Sequence, residues 1–330
     1  MSILTYALLI LGAAAVWQLV RVVELSTKLK GADPNKVTER DNRMNGTFML
    51  TFMILFFAFC IWQFVEYKDR LLPEAASEHG AKIDWLMNFN FLVIGIVFFI
   101  TNFLLFYMAW KYYGRNDRKA TFYPHNNKLE MLWTGVPAVV LFVIIFLGIR
   151  LWNETTEPAP NSMRLIELYA QQFNWKARYA GTDNTLGKAD YRLAGKFDLG
   201  MDTSDVKGYD DIIVNDTLFL EVNQEVNFRM RSQDVIHSAF FPHFRAQMNC
   251  VPGMETWFHF KPTITTKAMR EKTGNAKFDY MLLCNKICGT SHWNMGLLIY
   301  VGTKDEYKAH MARKKAYFDG RTPPTAIGAN

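Results

Sequence analysis

The sequence predicts a membrane-anchored α plus all-β protein, with four N-terminal transmembrane helices followed by a β-sandwich or barrel. Three observations lead there. Long apolar runs, each about the length of a bilayer crossing, fill the first half. Beyond Pro160 the hydrophobic pattern changes to an alternation of period two. Basic residues cluster in alternate loops between the apolar runs. At 330 residues the chain has room for two domains, and its mean hydropathy of −0.04 averages two unlike halves.

A hydrocarbon core about 30 Å thick needs roughly 20 helical residues to cross it. Residues 3–23, 46–66, 87–110 and 133–152 meet that length. Trp17, Trp62, Trp85, Trp110, Trp133 and Trp152 stand near segment ends, where amphipathic rings favour the membrane interface. The first run is not a cleaved leader by its flanks: no positive charge precedes it, while Arg21, Lys28 and Lys30 follow it. It reads as a retained helix with its N-terminus outside. Loop 21–46 carries Arg21, Lys28, Lys30, Lys36, Arg40 and Arg43, and loop 111–130 carries Lys111, Arg115, Arg118, Lys119 and Lys128. The excess of positive charge assigns both to the cytoplasm. Loop 67–86 balances Lys68, Arg70 and Lys82 against Asp69, Glu74, Glu78 and Asp84, which suits the outside. Four crossings then deliver residue 153 onward to the outer face. The net charge of +6 belongs to these topology signals, so no nucleic-acid partner is expected.

Glu154 to Pro160 is a turn-rich linker. After it, Met163, Leu165, Tyr169, Phe173, Trp175 and Tyr179 alternate with Arg164, Gln172, Asn174, Lys176 and Arg178. Val226, Phe228 and Met230 alternate with Asn227, Arg229 and Arg231, and Leu297 to Val301 is a last apolar strand. Short alternating strands between turns indicate a sandwich or barrel. Residues 181–211, with Asp183, Asp190, Asp198, Asp202, Asp205, Asp210 and Asp211, read as an acidic loop or hairpin insertion. Residues 304–330 form a basic tail containing Lys304, Lys308, Arg313, Lys314, Lys315 and Arg321.

The chemistry concentrates in Cys284-Asn-Lys-Ile-Cys288-Gly-Thr-Ser-His292-Trp-Asn-Met295. Thiolate, imidazole and thioether together select copper; zinc is content with Cys and His and has no use for the Met. Two thiolates suggest more than one copper, because each sulfur can bridge two metals. The missing imidazole is His237, in Asp234-Val-Ile-His237-Ser. A Cys284–Cys288 disulfide is the alternative in an oxidising compartment, but it leaves His292 and Met295 unexplained. Four cysteines are too few for a disulfide framework. Cys60 reads as packing and Cys250 stands alone, while His79, His125, His243, His259 and His310 lack ligand context.

This motif resembles the binuclear copper (CuA) loop of subunit II of haem–copper cytochrome c oxidases, C-x-x-x-C-G-x-x-H-x-x-M with an upstream D-V-x-H-S. The resemblance extends to Leu129-Glu130 through Trp133-Thr134 to Pro137, to Gln172-Phe-Asn-Trp175 and to Val251-Pro-Gly253. Roughly residues 85–303 are covered. It implies a cupredoxin-like Greek-key β-sandwich over 153–303, a family transmembrane hairpin over 67–152, an extra N-terminal helix pair over 1–66 and a C-terminal tail over 304–330. It implies copper ligation by Cys284, Cys288, His237 and His292, with Met295 and the backbone carbonyl of Lys286 as axial ligands. Lys286 itself stands where the family has Glu, whose carboxylate serves a magnesium or manganese ion. An ammonium cannot coordinate that ion, so the second metal is not carried over. Phe173 stands where the family has the Trp that receives electrons, with Trp175 the next aromatic; both also suit a sandwich core. Asn249 stands where Asp is common. Glu130 resembles a proton-uptake carboxylate, although Asn127 and Glu130 also spell a helix capping box.

The resemblance further implies partners: oxidase subunit I, which holds the haems, other oxidase subunits, and a c-type cytochrome donor. No C-x-x-C-H occurs, so the donor is expected to be a separate protein. The extra helices motivate contact with a quinol–cytochrome c reductase in a supercomplex. The expected location is a bacterial inner membrane, with the copper domain and both termini on the periplasmic side. Two other classes stay open. A membrane-anchored copper carrier would need only some of the ligands. A quinol-oxidase subunit would need none.

Overall fold

The computed structural model describes residues 3–29, 37–158, 160, 162–194 and 196–318. Lys30, Lys36, Arg321, both termini and the tail beyond Phe318 lie outside the described residues. Contacts divide the chain into two compact units, residues 1–69 with 93–127 and residues 70–92 with 128–330.

The first unit holds α1 (Ile3–Leu29), α2 (Glu39–Tyr67) and the C-terminal half of α3 (Glu78–Lys111). Thr38 and Asp41 close a reciprocal capping box at the start of α2, satisfying donors the helix cannot. α2 packs on α3 through rings: Phe52 on Phe106, Phe56 on Phe98 and Phe57 on Phe99, with the last pair edge-on at 4.8 Å. Gly46 permits a close approach, since a Cβ there would lie 3.3 Å from the Ala109 carbonyl oxygen.

Among the described residues, three helices are long and apolar enough to cross a membrane: Glu39–Arg70, Glu78–Lys111 and Asn127–Thr156. Most of their apolar side chains are exposed, the pattern of helices that cross a membrane. α1 is a 27-residue helix. α4 (Asn127–Thr156) opens at Asn127 itself, so Asn127 is its first helical residue and not the residue before the helix.

The second unit contains the β domain. One sheet has the order β3-β2-β1-β5-β8 and the other β4-β10-β9-β6-β7. The strands are β1 (Arg164–Gln171), β2 (Asn174–Tyr179), β3 (Ile212–Val214), β4 (Thr217–Glu221), β5 (Val226–Ser232), β6 (His237–Phe241), β7 (Ala246–Cys250), β8 (Thr256–Phe260), β9 (Tyr280–Cys284) and β10 (Gly296–Gly302). Residues from both sheets, among them Leu168, Trp175, Phe228, Phe241, Leu282 and Ile299, form one hydrophobic core. β5 keeps the alternation read from the sequence, with Val226, Phe228 and Met230 buried.

The 163–179 stretch is two strands, not one. Ile166, Leu168 and Ala170 of β1 lie opposite Tyr179, Ala177 and Trp175 of β2 and share the core face. The apolar phase therefore changes from even to odd across the turn at 172–173. The other face of β1 is buried as well: Tyr169 packs with Leu199, Met201 and Phe318 in a second cluster. The 181–211 insertion thus covers the sheet as a run of 3-10 turns instead of standing off as a hairpin. The helix Lys304–Met311 joins the main core through Tyr307, so part of the basic tail is folded onto the domain.

Residues 74–80, before and into α3, are sewn into the β domain. Ala76 is 0% exposed. Its N–H donates to the His243 carbonyl, and its carbonyl accepts from Thr263 N–H. Ser77 Oγ donates to the Phe244 carbonyl at 2.7 Å, and Arg245 grips Asp84 with two nitrogens. On the α4 side, Trp257 Nε1 donates to the Thr156 carbonyl at 2.8 Å, and Lys82 pairs with Glu154.

Under the insertion lies a buried charge network. Arg178 Nε is 2.7 Å from Glu167, and Arg178 Nη1 is 3.7 Å from Asp211. Arg231 also pairs with Glu167. Burial pushes the Asp211 carboxyl up to about 6, against the pull of Arg178. A raised carboxyl favours the folded state below its ordinary value of 3.8, and that contribution is lost as pH rises through about 6. Arg178→Met removes the opposing cation and should cost about 3–5 kcal/mol at neutral pH. The penalty should shrink on acidification, as Asp211 takes up its proton. Thermal unfolding of the full chain, followed by tryptophan fluorescence at neutral and acidic pH, checks this; a penalty unchanged by pH would exclude the account.

Candidate metal centre

Two strands and one loop converge on the sequence-predicted ligands. β6 pairs antiparallel with β9 through Ala239↔Cys284 and Phe240↔Leu283. This register carries His237, the first residue of β6, to Cys284, the last of β9. Asn285 N–H extends the pairing by donating to the Ser238 carbonyl at 3.0 Å. The loop that follows is closed by Cys284 N–H donating to the Met295 carbonyl at 3.1 Å. Within it, a 3-10 turn over His292–Asn294 brings His292 and Met295 back toward the cysteines.

The donor atoms lie close together. Cys284 Sγ is 3.9 Å from Cys288 Sγ, and both thiols are free. A disulfide needs sulfurs about 2.05 Å apart. His237 Nδ1 is 3.8 Å from Cys284 Sγ, and His292 Nδ1 is 3.5 Å from Cys288 Sγ. Each sulfur also has a weaker donor nearby. The Lys286 carbonyl oxygen is 3.3 Å from Cys284 Sγ, and Met295 Sδ is 3.8 Å from Cys288 Sγ. All six sequence-predicted groups are therefore brought together. Two thiols, each with an imidazole and a weak donor, form a soft set suited to copper. His237, Cys288 and Met295 are buried, whereas Cys284 and His292 are partly exposed. Burial and the adjacent Cys284 sulfur push the Cys288 thiol up, so metal loading there must displace a proton.

The surroundings sort the remaining candidates. Trp175 is 1% exposed, in the core, with its ring edge-on to His237 at 6.2 Å between centroids. Phe173 is half-buried in the β1–β2 turn and packs against Gly289 of the ligand loop. The Lys286 side chain is exposed. Glu130 is exposed in the first turn of α4, at the opposite end from Thr156. Cys250 faces His237 across β6–β7 and is fully buried, its thiol pushed up to about 12 by burial; such a thiol is inert packing. Other histidines are engaged elsewhere: His79 at the Arg245 carbonyl, His243 edge-on to Tyr280 and His310 stacked on Phe219.

Two residues emerge that sequence reading passed over. Asp234 Oδ1 is 2.8 Å from His237 Nε2, while its carboxylate also accepts from Val235 N–H and Gln172 N–H, each at 2.7 Å. Gln172 Nε2 donates in turn to the Cys288 carbonyl. Burial alone would raise the Asp234 carboxyl, but the hydrogen bonds from His237, Gln172 and Val235 outweigh it and hold it below the ordinary value. The signal was present for Asp234, three residues before His237 in the D-V-x-H-S element. None was present for Gln172. Ile287 and Trp293 on the loop are 88% and 83% exposed.

Comparison with known proteins gives consistent relatives. The family model for the cytochrome c oxidase subunit II transmembrane domain matches residues 66–151. The alternative cytochrome c oxidase subunit 2 of Bradyrhizobium diazoefficiens is 30% identical over 238 residues, 71% of this chain and 81% of the relative. Cytochrome c oxidase subunit 2 of Cereibacter sphaeroides is 24% identical over 256 residues, 73% of this chain and 78% of that protein. Among solved structures, the periplasmic domain of subunit II of cytochrome oxidase from Bradyrhizobium japonicum is 20% identical, with a TM-score of 0.32, covering 47% of this chain and 95% of that domain.

Gly289 tests the loop. Its φ is +141°, and an added Cβ would sit 2.8 Å from Phe173 Cζ and 2.9 Å from Gln172 Nε2. Gly289→Ala should cost roughly 1–3 kcal/mol in backbone strain and drive Phe173 and Gln172 off the loop. Copper content of the purified chain should fall. Full copper content in this variant would show that the close approach does not matter to the site.

Proposed function

Because this chain belongs to the cytochrome c oxidase subunit 2 family, and so to an oxidoreductase complex, we propose that its metal centre is the binuclear copper (CuA) site at which the oxidase receives electrons. The observation that carries this reading is the convergence of Cys284, Cys288, His237, His292, Met295 and the Lys286 carbonyl within 3.9 Å of a neighbouring sulfur. When bound there, a copper pair supplies one-electron relay between an outside c-type cytochrome and the haem of subunit I, where oxygen is reduced to water.

The chain's own residues hold and shield that centre. Cys284 and Cys288 would hold the copper as thiolates, His237 and His292 as imidazoles, and Met295 and the Lys286 carbonyl as weak donors. Phe173, lying on the ligand loop, closes the site against water and offers the donor a flat apolar contact; Trp175 backs His237 from the core. Glu130 takes up protons for the complex at the cytoplasmic end of α4. Lys286 presents an ammonium where magnesium or manganese needs oxygen, so this chain is assigned no divalent-ion site.

In this reading α1 is a fourth membrane crossing. Both termini and the β domain then lie on the periplasmic side of a bacterial inner membrane. The two-sheet domain is a cupredoxin-like Greek-key sandwich. The partners are subunit I, other oxidase subunits and a separate c-type cytochrome, and the extra α1–α2 pair offers a contact for a quinol–cytochrome c reductase. A copper carrier is less favoured, because a carrier has no use for the full set of donors.

The purified full chain loaded with copper should give the paramagnetic resonance pattern of an electron shared between two coppers; a pattern from isolated single coppers would refute the reading. Met295→Leu, a near-isosteric swap, should keep both coppers yet shift the reduction potential, because the axial ligand tunes the metal. An unshifted potential would strike Met295 from the ligands.

Glu130→Gln keeps the side chain's shape and removes its titratable proton. Oxidase turnover should fall several-fold while copper reduction by the cytochrome proceeds at the wild-type rate. Unchanged turnover would leave Glu130 as a helix-start residue only.

A further inference from the structure

We infer that the cleft between the β-domain ends of α3 and α4 is a phospholipid site, which takes part of one acyl chain between the helices and the ester carbonyl of that chain at Arg245. The inference goes beyond the copper reading and does not depend on it. It needs only that α3 and α4 cross a membrane.

Two matching helical stripes build the cleft. Ile83, Leu86, Met87 and Asn90 of α3, with Gly148, Leu151, Trp152 and Thr155 of α4, line a cavity of about 440 Å³. Each set has the spacing i, i+3, i+4, i+7, which is one face of a helix. Phe258 and Arg245 of the β domain complete the lining. Asn90 and Thr155 spend their donors on carbonyls of their own helices, so the helical walls are largely apolar. Gly148 leaves the α4 wall open: a Cβ there would meet nothing within 4 Å. Trp85 and Trp152, both more than half exposed, sit on these same turns, and indole rings favour the membrane interface.

Size decides what fits. Residues 83 to 90 span about 10 Å of helix. A transmembrane helix is about 10–12 Å across with its side chains, so that length of one fills roughly 800–1,200 Å³. A cavity of about 440 Å³ is too small for it. An acyl chain, one methylene wide, enters readily, and its remainder continues along the exposed apolar faces of α3 and α4. Apolar walls also make the cleft a poor place for water.

The polar end selects the head of that chain. The Arg245 side chain is only 7% exposed. A guanidinium has five N–H donors. Four serve Asp84, through Nε and Nη2, and the carbonyls of Pro73 and Pro242. The second Nη1 N–H has no hydrogen-bond partner among the described residues. Asp84 already neutralises the cation, so a neutral carbonyl suits this donor better than a second anion.

The test takes the full chain from bilayers of palmitoyl-oleoyl-phosphatidylcholine into mild detergent and counts retained phospholipids by native mass spectrometry. Wild type should keep one that Gly148→Leu, which fills the cleft, loses, while copper content and thermal unfolding stay near wild type. The dialkyl ether analogue has the same chains and phosphate but lacks the ester carbonyl. Wild type should retain it about tenfold less. Equal lipid counts in wild type and Gly148→Leu would overturn the proposal. So would equal retention of the ester and ether lipids, or a photo-crosslinker at Met87 that captures another oxidase subunit in the assembled complex instead of lipid.

Discussion

The antiparallel pairing of β6 with β9 is the constraint on which the site depends. Ala239 lies opposite Cys284, and His237, two residues earlier on β6, points to the same face of the sheet. Slippage by one residue would turn every side chain of β6 to the other face. The core forbids it: Ala239 and Phe241 are 0% exposed, and a slip would bring Ser238 and Phe240 inward in their place. The placing of His237 beside Cys284 is thus held by hydrophobic packing.

The clustering of the candidate donors was legible because four of their side chains lie in one short run whose types suit one kind of metal. The membrane helices were legible for a similar reason, since apolar length is a local property. Features that depended on distant segments were not. The turn at 172–173 reverses the apolar phase between β1 and β2, and a single alternation running through both hid it. Asp211 looked like one more solvated acid in an acidic loop, yet it is fully buried beside Arg178. The clamp from Asp234 through Gln172 to Cys288 joins residues more than a hundred positions apart, and no spacing rule reaches that far.

The insertion and the tail together change what kind of sheet β1 and β2 form. An antiparallel pair commonly turns one face to water. Here Leu199, Met201 and Phe318 cover Tyr169 on the outer face, and beneath them Arg178 lies between Glu167 and Asp211 and donates to the Gly187 carbonyl. Tyr317 N–H donates to the Asp211 carbonyl at 2.7 Å, so the last described turn of the chain closes the same lid. The hairpin that ends in the Phe173 turn is gripped from both sides, which suits a segment resting on the ligand loop.

The stitched segment before α3 has a consequence for where the β domain begins. Read along the chain, the domain starts after α4, near residue 153. In space it starts earlier, because Ala76 sits within its core and Ser77 bridges to Pro262 at the edge of the sheet. A soluble fragment cut at residue 153 would lack that plug. The carbonyls of His243, Phe244 and Lys261 and the N–H of Thr263 would lose their partners, and Arg245 would lose Asp84. The losses at His243, Phe244 and Arg245 fall on the turn that leaves β6, the strand carrying His237, and those at Lys261 and Thr263 fall just after β8. The domain is discontinuous in sequence, and a faithful miniature would have to graft residues 74–84 back onto it.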